Sequence, residues 1–250
     1  MSETYVNLQF NDEKIRLTVL TNVCRMLIKR GYMNIDKYKK TNDGSGAKKQ
    51  KPEQLGKQVV DPPSEHDPID NELFLPFIGS RVDNNVYIIP LDTNYRDERE
   101  AKSEGHVDFD GSSVIVKIIP QVVKDVANSP ILNDFFKTYS KHHKIVIFDG
   151  MSDKVYNTFR RKKNAEAFDR DALMIDLMSL DGAPISCEFV SLEDIAHITN
   201  PKLPKIHEND PVCRYYNGKK GQIMRVVRTS INNSQEIGYR RVDDPKPVFN

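Results

Sequence analysis

The stretch that most limits what this chain can fold into runs from Leu203 to Arg240. Asp210 followed by Pro211 is a helix start, because the carboxylate accepts the orphan amides of the first turn and proline fits the first helical position. The helix should end after Tyr216, where Asn217-Gly218 tolerates a left-handed backbone. Lys219-Lys220-Gly221 then turns the chain into an apolar strand over residues 222–228. Helix, turn, strand, turn and strand together bury too little to be stable alone, so this small unit should be completed by docking.

Composition bounds the rest. At 250 residues, with 38% hydrophobic content, 11 Phe and 10 Tyr, the chain is long enough for one large or two modest domains. Lys and Arg number 37 against 36 Asp and Glu, a formal charge of +1, which argues against a free-standing binder that depends on neutralising phosphates. Cys24, Cys187 and Cys213 are odd in number, far apart and set in apolar runs, so they are expected to be reduced core residues of an intracellular protein. No apolar run approaches the length of a membrane span and no secretory leader is evident, so the expectation is a soluble protein made in the cytosol.

Ile15, Val19, Val23, Met26 and Leu27 recur at helical spacing and Gly31 follows, predicting a helix over 11–31 with one buried face. From about 38 to 71 the chain is basic, then acidic, and rich in Gly and Pro, which reads as a mobile surface insert. Apolar runs then predict strands at 73–78, 86–90, 114–119, 144–148 and 172–177, with helices at 122–139 and 153–168. That alternation is α/β, and α+β overall once the C-terminal unit is counted. Leu180-Asp181-Gly182-Ala183-Pro184 marks a boundary, giving an N-terminal domain over 1–180 with a mixed sheet and a small C-terminal α+β domain over 181–250 that opens with a strand at 185–190.

Several clusters invite chemical readings. Asp108-Phe109-Asp110-Gly111 has the start of a calcium loop, but glycine comes too early and Ile119 stands where a bidentate glutamate is needed, so it reads as a turn. Cys187, His197, His207 and Cys213 lack the short paired spacings of a zinc site. His142-His143 reads as an exposed helix end. Glu100-Ala101-Lys102 has the carboxylate-x-lysine pattern of restriction-type nucleases, yet its uniformly charged surroundings over 96–105 read as a solvated helix. Asp169-Arg170-Asp171 is an acidic pair that reads as a cap on the following segment. No cofactor, metal or small-molecule substrate is implied, and no catalytic residue is assigned. The strand over 144–148 leads through Asp149-Gly150-Met151-Ser152-Asp153-Lys154 into a helix bearing Arg160, Arg161, Lys162 and Lys163. Free amides at such a helix start suit a phosphate oxygen, while the alternative is that Ser152 only caps its own helix.

The C-terminal stretch also resembles the signature of a known family. Its order is L-P-x-I, D-P-V-x-R-Y, K-x-G, an apolar strand ending in R-x-S, and Y-R. Leu203, Pro204, Ile206, Asp210, Pro211, Val212, Arg214, Tyr215, Lys219, Gly221, Arg228, Ser230, Tyr239 and Arg240 all stand in place. This set, ordered over roughly forty residues, resembles the fifth subunit of eukaryotic RNA polymerases, a family whose archaeal members carry only the C-terminal part. Arg30-Gly31-Tyr32 resembles the close of that family's opening helix. Three features depart from the pattern: the insert at 38–71, Cys187-Glu188-Phe189-Val190-Ser191 in place of H-x-L-V-P, and Asn217 where glycine is usual. A further difference is a shortened segment between Val190 and Leu203.

The resemblance implies a non-catalytic structural subunit of a multisubunit DNA-directed RNA polymerase, made of an N-terminal jaw and a C-terminal assembly domain. The assembly domain would dock on the largest subunit, with Pro204, Asp210, Pro211, Arg214, Tyr215, Lys219, Gly221, Arg228, Tyr239 and Arg240 at the interface or supporting it. For Arg214 and Tyr215 an internal role, tying the small domain together, is an equal alternative. Gly150, Met151, Ser152 and Lys154 would meet the backbone of downstream double-stranded DNA, which positions a duplex without reading it. No membrane partner is implied. The layout is that of eukaryotic members, and the divergence suits a large DNA virus or a distant eukaryote. The setting would be the nucleus if cellular, and the host cytoplasm or virion if viral. The competing classes are a stand-alone transcription adaptor and a nuclease-like enzyme relying on Glu100 and Lys102.

Overall fold

A computed structural model describes residues 12–34, 81–83, 85–93, 109–126, 129–162, 164–191, 193, 195, 202–230 and 235–243. The strand expected at 73–78, the insert at 38–71, Glu100, Lys102, Asp108 and His197 lie outside these residues.

The first sheet has five strands in the order β1-β2-β3-β4-β5: β1 (Arg81–Asp83), β2 (Val86–Pro90), β3 (Asp110–Val123), β4 (His142–Met151) and β5 (Ala165–Asp169). β1, β2 and β3 pair antiparallel, while β4 pairs parallel to both β3 and β5, so the sheet is mixed as expected. Each parallel connection carries a helix, α2 (Pro130–Thr138) and then α3 (Asp153–Arg161). Both lie on one face, where Leu132, Phe135, Val155 and Phe159 pack on Val86, Ile115, Val146 and Phe148. The alternate residues of the same strands, Tyr87, Ile89, Val114, Val116, Ile145 and Ile147, face the other way. A strand buried on both faces needs apolar residues at both parities, which is why 144–148 reads as an unbroken apolar run.

The opposite face is covered by α1 (Asp12–Lys29). The expected single stripe understates its burial: Val19 to Cys24 are buried consecutively, together with Met26 and Leu27. The reason lies in the C-terminal region. Its four-stranded sheet has the order β6-β8-β9-β7, built from β6 (Ser186–Val190), β7 (Lys205–His207), β8 (Ile223–Thr229) and β9 (Gln235–Asp243). Cys187, Ile206, Met224, Val226 and Val242 from that sheet, with Cys213 and Tyr215 from α4 (Pro211–Tyr215), belong to the same apolar cluster as α1. The core of the small C-terminal unit is therefore completed from within the chain, with α1 between the two sheets.

Four local expectations are corrected. The helix predicted over 153–168 ends at Arg161, because Asn164 adopts a left-handed backbone (φ 53°) and its carbonyl accepts from Lys144 N at 2.9 Å. Ala165 to Asp169 then pair with β4, tertiary pairing overriding a sequence that would suit a helix. The strand predicted over 172–177 is instead two short 3-10 turns, Asp171–Leu173 and Leu177–Ser179, the second capped by Asp176 accepting from Met178 N. The helix predicted over 122–139 is shorter, since β3 continues to Val123 and α2 begins at Pro130. His142 and His143 open a strand, where the two-residue period sends His143 inward until only 2% of its surface is exposed.

Candidate functional site

The C-terminal signature is organised by its caps. Asp210 Oδ1 accepts from Val212 N at 2.9 Å and Cys213 N at 3.4 Å, with Pro211 at the first helical position. At the other end of α4, Gly218 N donates to Cys213 O (2.8 Å) and Asn217 N to Arg214 O (3.0 Å), the paired bonds of a Schellman ending. Asn217 is the left-handed residue, at φ 54°, so asparagine supplies the conformation that a glycine would. Gly218 is needed for a different reason: any Cβ there would collide with Cys213 Sγ and lie 3.2 Å from the Phe189 ring. Gly221, at φ 88°, donates its amide to Val242 O at 2.9 Å and so fastens the turn to β9.

This scaffold sorts the expected interface residues by exposure. Pro204, Pro211, Gly221 and Arg228 are exposed, while Asp210, Lys219, Tyr239 and Arg240 are partly so. Tyr215 is buried, with its hydroxyl 3.4 Å from Asp176 Oδ1, and burial and that carboxylate push its ionisation far above the ordinary range. The Arg214 guanidinium also turns inward. Its Nη2 donates to Ala167 O at 3.1 Å, and it lies over the rings of Tyr156 (4.5 Å) and Phe168 (5.5 Å).

Beneath α4 is a buried charged cluster of Arg30, His143 and Glu166. Arg30 Nη1 and Nη2 each donate to a Glu166 oxygen at 2.8 Å, and His143 Nε2 lies 2.7 Å from Glu166 Oε1. Arg30 Nε donates to Tyr215 O at 2.6 Å and Nη2 to Arg214 O at 3.3 Å, placing its positive charge at the C-terminal end of α4. The side chains of Arg30 and Glu166 are 3% and 5% exposed. Burial alone would raise the Glu166 carboxyl, but Arg30 and His143 outweigh it and hold the group far below the usual carboxylate range. Burial pushes His143 down against the opposing pull of Glu166, so the imidazole is neutral. Arg30 reaches this position because Gly31 (φ 82°) ends α1 with Tyr32 N bonded to Leu27 O and Gly31 N to Ile28 O. The only sequence signal for the cluster was the Arg30-Gly31-Tyr32 ending itself.

The turn expected to meet DNA lies at the C-terminal end of β4. Ser152 caps α3, accepting from Val155 N at 3.4 Å while its hydroxyl donates to Lys124 O at 2.8 Å. Met151 N donates to Asp169 Oδ1 at 2.8 Å and Ser152 N to Val123 O at 3.2 Å, so those two amides are committed within the chain. Lys154 Nζ pairs with Asp125 at 2.5 Å across the exposed surface. Asp169, expected to cap the segment after it, instead holds the turn before α3.

The three cysteines are free and buried; burial raises the thiols of Cys24 and Cys213 to about 12 and that of Cys187 to about 11, so they remain protonated. Among the described residues, no three His, Cys, Asp or Glu side chains are grouped to hold a metal ion, and no helix is long and apolar enough to cross a membrane.

The ordered signature thus folds as a capped helix and four-stranded sheet joined to a mixed α/β sheet. Residues 189–242 match the family described as RNA polymerase Rpb5, C-terminal domain. It is 27% identical over 180 residues to DNA-directed RNA polymerase subunit 5 of Acanthamoeba polyphaga mimivirus, a match covering 67% of this chain and 87% of that protein. It is 29% identical over 85 residues to the subunit rpabc1 of RNA polymerases I, II and III of Dictyostelium discoideum, covering 32% of this chain and 43% of that one. A third match, DNA-directed RNA polymerase subunit Rpo5 of Methanocaldococcus jannaschii, is 44% identical over 41 residues, 16% of this chain and 53% of that protein.

Proposed function

We propose that this chain is built into a multisubunit RNA polymerase through its C-terminal region, which docks on the largest subunit, while the N-terminal region lies as a jaw beside downstream DNA. It has no catalytic role; phosphoryl transfer and its metals belong to other chains. The observation that carries the reading is the C-terminal signature, whose caps and glycines are each used by the fold and which coincides with the matched residues 189–242.

Docking falls to the exposed part of the signature, Pro204, Pro211, Lys219, Gly221, Arg228, Tyr239 and Arg240. Asp210, Arg214 and Tyr215 act from beneath by fixing α4. The jaw would meet the DNA backbone at Gly150, Met151, Ser152 and Lys154, with Lys154 exchanging Asp125 for a phosphate. The mimivirus relative favours a viral setting, transcription in the host cytoplasm or virion, over a nuclear one.

The deciding experiment is affinity recovery of a tagged chain from its native source, with mass spectrometry of what accompanies it. Large polymerase subunits are expected in stoichiometric amounts. Recovery of the chain alone would refute the assignment.

A further inference from the structure

The exposed loop Leu180-Asp181-Gly182 and its left-handed glycine (φ 81°) would serve as a hinge if the two sheets were independent bodies. The contacts across it are of the opposite kind. Arg30, from the C-terminal end of α1, is held bidentately by Glu166 of β5 and donates to the carbonyls of Tyr215 and Arg214 at the end of α4. One buried guanidinium thus touches residues 136, 184 and 185 positions away. Arg214 returns the contact from α4, donating to Ala167 O on β5. Arg160 of α3 pairs at 2.7 Å with Glu208, a carboxylate 7% exposed, just before α4. Rotation about the loop would take the α4 carbonyls from the buried Arg30 and leave Glu208 buried without Arg160, a far greater penalty than losing surface ion pairs.

We infer that Arg30, Arg160 and Arg214 form a rigid joint that fixes the orientation of the two sheets about the apolar cluster they share, and that Arg30 is a positioning residue for the turn at 150–154. The route is short and continuous. The α4 carbonyls hold Arg30, Arg30 holds Glu166, and the strand of Glu166 ends in Asp169, whose carboxylate accepts from Met151 N at 2.8 Å. The surface that docks and the turn that faces DNA therefore keep a constant separation, and moving one moves the other. The meaning of that coupling for DNA rests on the function proposed above; the rigidity itself does not.

The test uses the full chain with spin labels on Asn157→Cys in α3 and Glu236→Cys in β9, both exposed positions, the native cysteines being buried. Pulsed dipolar spectroscopy of the otherwise unaltered chain should give a single narrow distance distribution. Two further variants remove the joint in different ways. Arg30→Met with Glu166→Leu replaces the ion pair by apolar side chains and so preserves burial, and Arg160→Ala with Arg214→Leu cuts the remaining links. Circular dichroism confirms folding in each case. A distribution at least twofold broader in either variant supports the joint. A broad distribution in the unaltered chain, or narrow ones in both variants, overturns it. Recovery with polymerase subunits is measured separately, so a failed joint and a failed functional assignment are told apart.

Discussion

Replacing Glu166 by alanine would leave the Arg30 guanidinium, 3% exposed, without its carboxylate and would deprive His143 of the oxygen 2.7 Å from its Nε2. Two charge-assisted bonds at 2.8 Å are lost, while Arg30 keeps its bonds to the Tyr215 and Arg214 carbonyls and the Met26 sulfur. Removing one partner of a buried ion pair typically costs about 3–5 kcal/mol, because the remaining charge stays desolvated. For a chain of this size each kcal/mol moves the melting temperature by about 2–4 °C, so the expected fall is about 6–20 °C. Denaturant unfolding followed by circular dichroism gives the free energy, and differential scanning fluorimetry the shift. Arg30→Met should cost a similar amount, whereas Arg30→Met combined with Glu166→Leu should recover most of the loss, apolar replacement of a buried pair being close to neutral. If either single substitution costs under about 1 kcal/mol, the charge left behind is not the uncompensated one it is argued to be.

The same cluster sets a pH dependence. His143 titrates below its ordinary 6.5, so under acid the unfolded chain takes up a proton the folded chain refuses. Glu166 is held below its ordinary 4.5, so its stabilisation is present above that value and lost as pH falls through and below it. Both effects have the same sign: unfolding free energy should decline from about pH 6.5 downward, and His143→Asn should flatten the upper part of the fall. A stability that stays level between pH 7 and pH 5 would contradict this. Gly218→Ala should cost about 1–3 kcal/mol by forcing a Cβ against Cys213 and Phe189, measurable by urea unfolding. Asp210→Ala should cost about 0.5–2 kcal/mol through loss of the α4 cap, with Asn at that position restoring most of it. Within the recovered polymerase, Lys154→Ala should weaken cross-linking to downstream duplex without sequence bias; unchanged cross-linking would remove Lys154 from the proposed contact.

Elements whose signals are local were legible in the sequence. Asp210-Pro211 and Asn217-Gly218 bracket a five-residue helix because capping and left-handed backbone are properties of single residues and their neighbours. The strand expected at 86–90 appears as Val86–Pro90 because its apolar residues, closed by proline, carry their own period and stop. Ala165-Glu166-Ala167 gave no strand signal, since what makes it a strand is the edge of β4, supplied by residues about twenty positions earlier. His143 escapes a local reading for the same reason, as a pair of histidines shows neither its period nor its depth.

By itself, then, the sequence determined the α/β class, the free buried cysteines, the helix of α1 and the punctuation of the C-terminal signature, all of which depend on local backbone preference or on apolar spacing. Only the tertiary structure decided that Arg214 and Tyr215 face inward and that Arg30, His143 and Glu166 share one buried site. Nor could the sequence show that the small C-terminal unit is completed by α1 of the same chain. Long-range charge pairing leaves no periodic trace, because the partners are chosen by where strands and helix ends meet in space, and Arg30 and Glu166 meet across 136 positions.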